Sequence, residues 1–591
     1  VTALVLRRPS DWWPYLLAAL SGLATALALP RLSWWPLALV GLAPLFIALE
    51  QASFGRAFRL GLTAGFVHFL FMVSWLPRTM ELYAGMPLVW CYLAPVILAL
   101  YLALFWALFA GGFVLAVNSG IPGVLAGPIL FTAAEVLRGY AFTGFAWMPL
   151  GNLLFPAREL IQAADLIGVH GLSFLMVVVN YGVYRAVLSG TGRRSAWLHL
   201  ALAVAVAAFL LIYGLVRIAQ VNREQAAAPV VLVSVLQGNI PPQMKHDRRP
   251  DNIYRSIDVY GRLTRLVQVK AEVVRRWLGD EAPVGWASSP EGPHLVIWPE
   301  TALVFSFAVR PRNLWQERNQ GYSRRVLAWT VHGDTWFLVG NVAVEQIHDL
   351  KKVKHWRDAI AVYNRATLID PLGRETGFYD KVHLVPFGEY LPWPWLIGWL
   401  RSLSGNIGNF SPGQKGRLLT IYLVPRAVLA WLDGSLPAGL KAGVRERLLG
   451  PRAFHLGVLI CYESIFPDLA RAQVAGGAHL LVNITNDAWF GRTSAPFQHQ
   501  AHMILRAVEN RRPVARAANT GFSGFIDPTG RLFDRTDLET VDARSALLPV
   551  MSGQTVYTRF GHYLDWLSVL LAFAIIGRMI ILWKIRRNHV R

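Results

Sequence analysis

Eight stretches of this chain are apolar and long enough to cross a bilayer, and they constrain the fold more than any other feature. Runs at about 13–30, 34–50, 57–77, 88–117, 122–140, 162–188 and 195–217 precede a block of roughly 340 residues of ordinary globular composition, and a last run follows at about 563–583. A hydrocarbon core about 30 Å thick takes about 20 apolar residues of helix. The expected fold class is therefore a multi-pass α-helical membrane bundle of about eight spans carrying an α/β domain. The expected boundaries are 1–221 for seven helices, 222–560 for the globular domain, and 561–591 for a closing helix with a basic tail. The first run follows Arg7 and Arg8 as a secretory signal would, but further apolar runs come at once, so it reads as the first span.

Only 16% of residues are charged, against about 25% in an average soluble chain. The net charge of +21 raises nucleic acid as a partner. The spans leave it no surface in the first third, so the bilayer, and no nucleic acid, is the expected partner. Lys and Arg near the helix ends set the orientation. With the N-terminus cytoplasmic, the inner segments hold Arg7, Arg8, Arg56, Arg59, Arg185, Arg193, Arg194, Lys584, Arg586, Arg587 and Arg591, while the outer loops hold Arg31, Arg78, Arg138 and Arg158 and no lysine. Seven crossings then put the large domain outside, in the periplasm if the membrane is a bacterial inner membrane. Glu135 and Arg138, at the end of one run, read as a pair, either snorkelling to the interface or functional.

Two cysteines cannot build a disulfide framework, and without CxxC a zinc or redox role is not expected. Cys91 lies within an apolar run and reads as a small hydrophobe. His499 and His502 are three apart on a helical pattern but lack a third ligand, so no metal is expected. The chain has no phosphate-binding glycine fingerprint, and no cofactor is expected.

The globular block alternates β-rich runs (228–240, 293–300, 335–344, 359–370, 454–463, 478–487) with helical spacing at 252–277 and 495–512. "LIDPLGRETG" (368–377) and "FIDPTGRLFD" (525–534) each predict a hairpin, proline presetting the first turn position and glycine taking the positive φ. Residues 415–453 read as an insertion, helical and lying on the surface.

Three titratable residues end or follow such runs: Glu300 in "HLVIWPE", Lys381 in "GFYDKVHLVPFGEY" and Cys461 in "HLGVLIC". Parallel sheets build their sites beyond the carboxyl ends of strands. A thiol of pKa ~8.5 is a few per cent thiolate at neutral pH. A carboxylate beside it acts as general base during attack, and an ammonium steadies the tetrahedral oxyanion, with the N–H of Tyr462 as a second donor. Together the three make an acyl-transfer apparatus. Singly, each has an ordinary structural reading as a buried thiol, a helix cap and a surface pair.

In their order, "WPETAL", "YDKVHLVPFGEYLP", "LICYESIFP" and "NITNDAWFG" resemble the nitrilase (carbon-nitrogen hydrolase) superfamily. With membrane spans before and after, and with "LQGNIPPQMK" (236–245) and "RAVENRRPVARAANTGFSG" (506–524), nearly the whole chain resembles the apolipoprotein N-acyltransferase family. The resemblance implies an α-β-β-α sandwich domain on a bacterial inner-membrane protein, and a monomer is expected. It implies transfer of a fatty acyl chain from a membrane phospholipid to the N-terminal amine of diacylglyceryl-modified apolipoproteins. Cys461 would be the nucleophile, Glu300 the base and Lys381 the oxyanion residue, with Glu389, Tyr462 and Glu463 in support. Where the family has a tryptophan after "QGNIPPQMK", this chain has His246, which is expected to touch substrate. Trp393, Trp395 and Trp399, in "LPWPWLIGWLRSL", suit an interfacial arm, with core packing as the alternative. A membrane-anchored amidase or nitrile hydrolase with the same triad is the competing expectation.

Overall fold

The computed structural model describes residues 12–84, 86–189, 194–247, 249–278, 294–331, 333–346, 360–393, 395, 408–423 and 453–589. Two compact units emerge, one of residues 1–220, 497–509 and 555–591, the other of 221–496 and 510–554. The helical segment 497–509 thus groups with the apolar helices, although it lies within the 222–560 block.

In the first unit, among the described residues, four helices are long and apolar enough to cross a membrane: Leu88–Asn118, Ala164–Leu188, Ala196–Ala227 and Tyr563–Ile585. Phe54–Met72 and Leu76–Leu82, bent by 44°, make a fifth if taken as one span. This is fewer than the eight expected. The run at 34–50 is not a single helix but a 3-10 turn, Trp35–Leu39, and a short helix, Ala43–Ala48, with Pro36 and Pro44 at their starts. The broken backbone is satisfied by Asn180, whose Nδ2 donates to the Ala38 carbonyl (3.0 Å) and whose Oδ1 accepts from the Leu42 N–H (2.7 Å). Irregular backbone in an apolar setting persists only with such partners. The first run gives a 15-residue helix, Trp13–Leu27, and the fifth an 18-residue one, Gly123–Tyr140.

Small residues let these helices close on one another. A Cβ at Gly61 would lie 2.4 Å from the Trp106 carbonyl oxygen, and one at Gly65 2.9 Å from the Trp106 Cβ. Such a glycine pair four apart is the packing seam typical of apolar helices. Glu135 and Arg138 do not snorkel. Both are buried: Glu135 Oε1 accepts from the Leu150 N–H (2.7 Å) and Arg138 Nη1 donates to the Trp147 carbonyl (2.8 Å), so each secures the irregular turn at 147–150.

The second unit carries, among the described residues, two six-stranded sheets. The first contains β1 (Val230–Gln237), β2 (Leu295–Ser306), β3 (Trp336–Gln346), β4 (Ile360–Ile369) and β5 (Glu375–Asp380). The second contains β6 (Leu419–Tyr422), β7 (Ala453–Ile460), β8 (Leu480–Thr485), β9 (Val514–Ala518), β10 (Gly524–Ile526) and β11 (Leu532–Phe533). The last strand, β12 (Asp542–Pro549), returns to the first sheet. Their orders are β12-β1-β2-β3-β4-β5 and β11-β10-β9-β8-β7-β6. β1, β2 and β3 run parallel, as do β7, β8 and β9.

The strands are apolar on both faces because both are covered. Val231, Val233, Val235, Leu295 and Ile297 pack with Val458, Ile460, Val482 and Ile484 in one core between the sheets. On the outer face of the first sheet, Val296, Trp298, Phe337 and Val339 meet Ile253, Ile257, Tyr260 and Leu263 of the helix Pro250–Leu278. The helix Pro467–Ala475 lies against β7. The result is the expected α-β-β-α sandwich.

Both Asp-Pro-x-Gly segments form hairpins, β4–β5 and β10–β11, with Gly373 and Gly530 at φ 77° and 85°. The expected insertion at 415–453 is corrected at its ends. Residues 419–422 form an edge strand, Leu419 pairing with Leu456 and Tyr422 with Ala453, so the segment enters and leaves through the second sheet. Residues 424–452 lie outside the described residues.

Candidate functional site

Two of the three titratable residues occupy backbone irregularities, and the third directly follows a strand. Glu300 lies in a bulge of β2, where the register against β3 shifts between Trp298 and Leu303. The next residue, Thr301, has φ 46°, rare for a β-branched residue. A Cβ at Gly340 of β3 would lie 2.1 Å from the Pro299 carbonyl oxygen, so only glycine lets β3 pass the bulge. Bulges of this kind re-aim side chains beside functional sites. Lys381 immediately follows β5, its N–H donating to the Asn364 carbonyl (2.9 Å). Cys461 immediately follows β7 at φ 52°, opening the 3-10 turn Cys461–Ile465. A non-glycine residue held at positive φ is strained, and such strain clusters at functional sites.

The fold brings these residues into one buried cluster. Glu300, Lys381 and Cys461 are 4%, 1% and 7% exposed. Lys381 Nζ lies 3.5 Å from Glu300 Oε1 and 2.9 Å from Glu389 Oε1. Burial alone would lower the lysine pKa, but the Glu389 and Glu300 carboxylates hold it above its ordinary value, so the ammonium is kept. Burial raises the Cys461 thiol, the Glu300 charge raises it further, and Lys381 opposes both. The sulfur therefore rests protonated, with an acceptor for its proton among the groups that act on it.

Glu389 also accepts from the Val385 N–H at Oε2 (2.8 Å), which fixes the turn 385–389. Glu463 is fully buried and bridges two segments. Its Oε1 accepts from Tyr379 Oη (3.0 Å), the Val382 N–H (2.6 Å) and the His383 N–H (3.2 Å), and its Oε2 accepts from the Ile460 N–H (2.7 Å). The residue before Cys461 is thereby tied to the residue after Lys381. Burial raises this carboxyl to about 7, against the pull of those N–H donors and Lys381. Tyr462 packs edge-on against Phe466, 5.2 Å between ring centres, and its ring lies tilted at 45° to that of His383, at 5.8 Å.

The expected substrate contacts are less defined. His246 ends the short helix Pro242–His246, and its side chain is outside what is described. Trp393 and Trp395 are 37% and 81% exposed, which excludes core packing for Trp395. Trp399 lies outside the described residues.

Four further residues were not singled out from the sequence. Asn364 Nδ2 donates to both Glu300 Oε1 (2.7 Å) and Glu389 Oε1 (3.0 Å), one amide holding two carboxylates. The Asn486 N–H donates to Glu300 Oε2 (2.8 Å). Asp487 faces Cys461 electrostatically and accepts from Thr485 Oγ1 (2.8 Å) and from Arg516 Nη2 (2.6 Å). Lys245 also reaches this cluster. The only sequence signal for Asn364 is a polar residue within the apolar run "AIAVYNRATL".

Among the described residues, one His/Asp group has metal-ligand spacing: His170, His562 and Asp565, in the helical unit. Both imidazole Nδ1 atoms sit on Asp565 Oδ2, at 2.8 and 2.6 Å, and so hydrogen-bond the closing helix to the helix Ala164–Ser189. His499 and His502 make structural contacts: His499 stacks on Trp147, and His502 Nε2 lies 3.3 Å from the Met148 N–H.

A double-sheet sandwich whose strand ends gather a thiol, an ammonium and a carboxylate defines a protein of the carbon-nitrogen hydrolase class. The carbon-nitrogen hydrolase family model matches residues 286–549. The apolipoprotein N-acyltransferase N-terminal domain model matches residues 21–182, in the apolar helices. The apolipoprotein N-acyltransferase of Geobacter metallireducens is 33% identical over 558 residues, covering 94% of this chain and 93% of that protein. That of Allorhizobium ampelinum is 30% identical over 585 residues, covering 96% and 97%. Among solved structures, an amidase of Nesterenkonia AN1 from the nitrilase superfamily overlaps 54% of this chain and 90% of its own, at 16% identity and a TM-score of 0.32. The chain belongs to the apolipoprotein N-acyltransferase family, and is an acyltransferase.

Proposed function

We propose that this enzyme moves a fatty acyl chain from a membrane phospholipid to the N-terminal amine of diacylglyceryl-cysteine apolipoproteins, through a thioester on Cys461. The observation that carries the reading is the buried cluster of Lys381, Glu300 and Glu389, with Nζ–Oε distances of 3.5 and 2.9 Å, around the strained Cys461 turn. In the first half-reaction, Glu300 takes the thiol proton as sulfur attacks the ester carbonyl. Lys381 and backbone N–H groups of the Cys461 turn stabilise the oxyanion. The tetrahedral intermediate expels the lysophospholipid alkoxide, which recovers the proton from Glu300. In the second, the acceptor amine attacks the thioester and Glu300 takes its proton. The C–S bond breaks and sulfur is reprotonated. Water must be excluded while the thioester stands.

Acyl chains leave the bilayer at a cost of roughly 0.8 kcal/mol per CH₂, so the donor stays embedded while it reacts. The exposed Phe387, Trp393 and Trp395 suit contact with lipid. The Lys/Arg distribution supports an inner-membrane protein with its catalytic domain in the periplasm. An odd number of crossings before residue 222 is needed, and eight spans in all remain our reading of the topology.

Purified enzyme incubated with acyl-labelled phospholipid should gain an acyl-sized mass that hydroxylamine removes. Cys461→Ala should carry none. Persistent labelling of that variant, or release of ammonia from simple amides without acyl transfer, would overturn the reading.

A further inference from the structure

Glu300 has a second lysine beside it. The short helix Pro242–His246 delivers Lys245, whose Nζ lies 3.4 Å from the Glu300 carbonyl oxygen, 3.3 Å from Thr301 Oγ1 and 3.1 Å from Asn486 Oδ1. These acceptors belong to the residues that aim the carboxylate. Two are in the β2 bulge, at and beside the strained Thr301. The third is on Asn486, whose own N–H holds Glu300 Oε2 at 2.8 Å. Asn519 Nδ2 donates to the same Asn486 Oδ1 (3.0 Å), so the side chain that receives the lysine is itself fixed.

We propose that Lys245 is a positioning residue for the general base: its side chain clamps the bulge that carries Glu300 and sets a positive charge beside the carboxylate. The inference rests on the reading of Glu300 as base. An ammonium with three oxygen partners is a donor used in full, which suits a clamp better than a ligand for substrate. The charged and titratable groups facing Glu300 are Lys381 after β5, Glu389 across Asn364, Cys461 after β7 with Asp487 behind it, and Lys245. Two cations therefore flank it from different elements, and Lys381 is shared with Glu389. Burial brings Lys245 down to about 7, and the Glu300 charge opposes that fall.

The test is the pH profile of acyl-enzyme formation, followed by the hydroxylamine-labile label from phospholipid. Removing a nearby cation makes a carboxylate harder to ionise. Lys245→Gln should slow acylation about tenfold near neutral pH and move the acid limb up by about one pH unit. Lys245→Arg, which keeps the charge, should leave the limb in place and keep most of the rate. A K245Q enzyme slowed by the same factor at every pH, with an unmoved limb, would make Lys245 merely structural and overturn the proposal. If K245Q does not fold, K245R decides: a loss above a hundredfold with the charge kept overturns it. Glu300→Gln runs in parallel. If E300Q still forms acyl-enzyme, the base assignment itself fails; if E300Q is inactive and the K245Q limb is unmoved, only the role of Lys245 fails.

Discussion

Replacing Glu463 with glutamine tests whether the nucleophile turn and the lysine segment are one mechanical unit. At pH 8, where a carboxyl raised to about 7 is ionised, it receives four donors: Tyr379 Oη and two N–H groups at Oε1, and the Ile460 N–H at Oε2. A glutamine must place an NH₂ where one oxygen stood. The lesser loss puts it at Oε2, where it meets the Ile460 N–H donor to donor. That forfeits one charge-assisted bond, worth about 1.5–3 kcal/mol, and weakens three others, since bonds to a charged acceptor are roughly twice as strong as neutral ones. Relief from burying a charge offsets part of this, and a net cost of about 3 kcal/mol follows. At about 1.5 °C per kcal/mol for a domain of this size, from an unfolding entropy of about 2.1 cal/mol/K per residue, the catalytic domain should melt roughly 4–5 °C lower. Because the lost bond anchors the residue before Cys461, acylation should fall about a hundredfold. Tryptophan-fluorescence melting and the phospholipid-labelling assay read the two effects. An E463Q enzyme that melts within a degree of wild type and acylates within threefold would refute the bracing role.

Asn364 offers its amide to two carboxylates, so its substitutions should differ by charge. Asn364→Leu and Asn364→Asp should each cut acylation about a hundredfold or more, and only the aspartate variant should recover partly at lower pH, where a proton can be shared among the carboxyls. His383 is held down to about 4, from 6.5, by burial and then by the Lys381 charge. Between these values the unfolded chain binds a proton that the native one does not, so stability falls as pH drops from 6.5 toward 4. His383→Gln should remove that slope, which melting at a series of pH values would reveal. Equal slopes in both proteins would contradict it.

The layout of the sandwich was legible because a strand buried on both faces must be apolar along its length. Hence β1, β2, β3, β7 and β8 stand out as runs, with Glu300 and Cys461 at a bend and an end of two of them, while Lys381 follows the β4–β5 hairpin. Both hairpins were legible because proline and glycine carry their turn geometry locally. The short strands β6 and β9 were not, since four or five residues carry no period. The break in the run at 34–50 was not legible because hydropathy records apolarity alone. The helix breaks there because a partner 138 residues away, Asn180, satisfies the interrupted backbone. Asn364 and Asn486 were invisible for the same reason: an amide's role depends on which oxygen the fold brings to it.

By itself, the order of residues determined that this chain has apolar helices flanking a layered α/β domain, and which thiol, ammonium and carboxylate stand at strand ends. Those properties follow from burial and turn chemistry, which act over a few neighbouring residues. Only the tertiary structure decided that Glu389, Glu463, Asn364 and Lys245 knit these groups into one cluster, and how many runs form long helices. Hydrogen bonds and charges act over a few ångströms in space, and only folding makes residues far apart in the chain into neighbours at that distance.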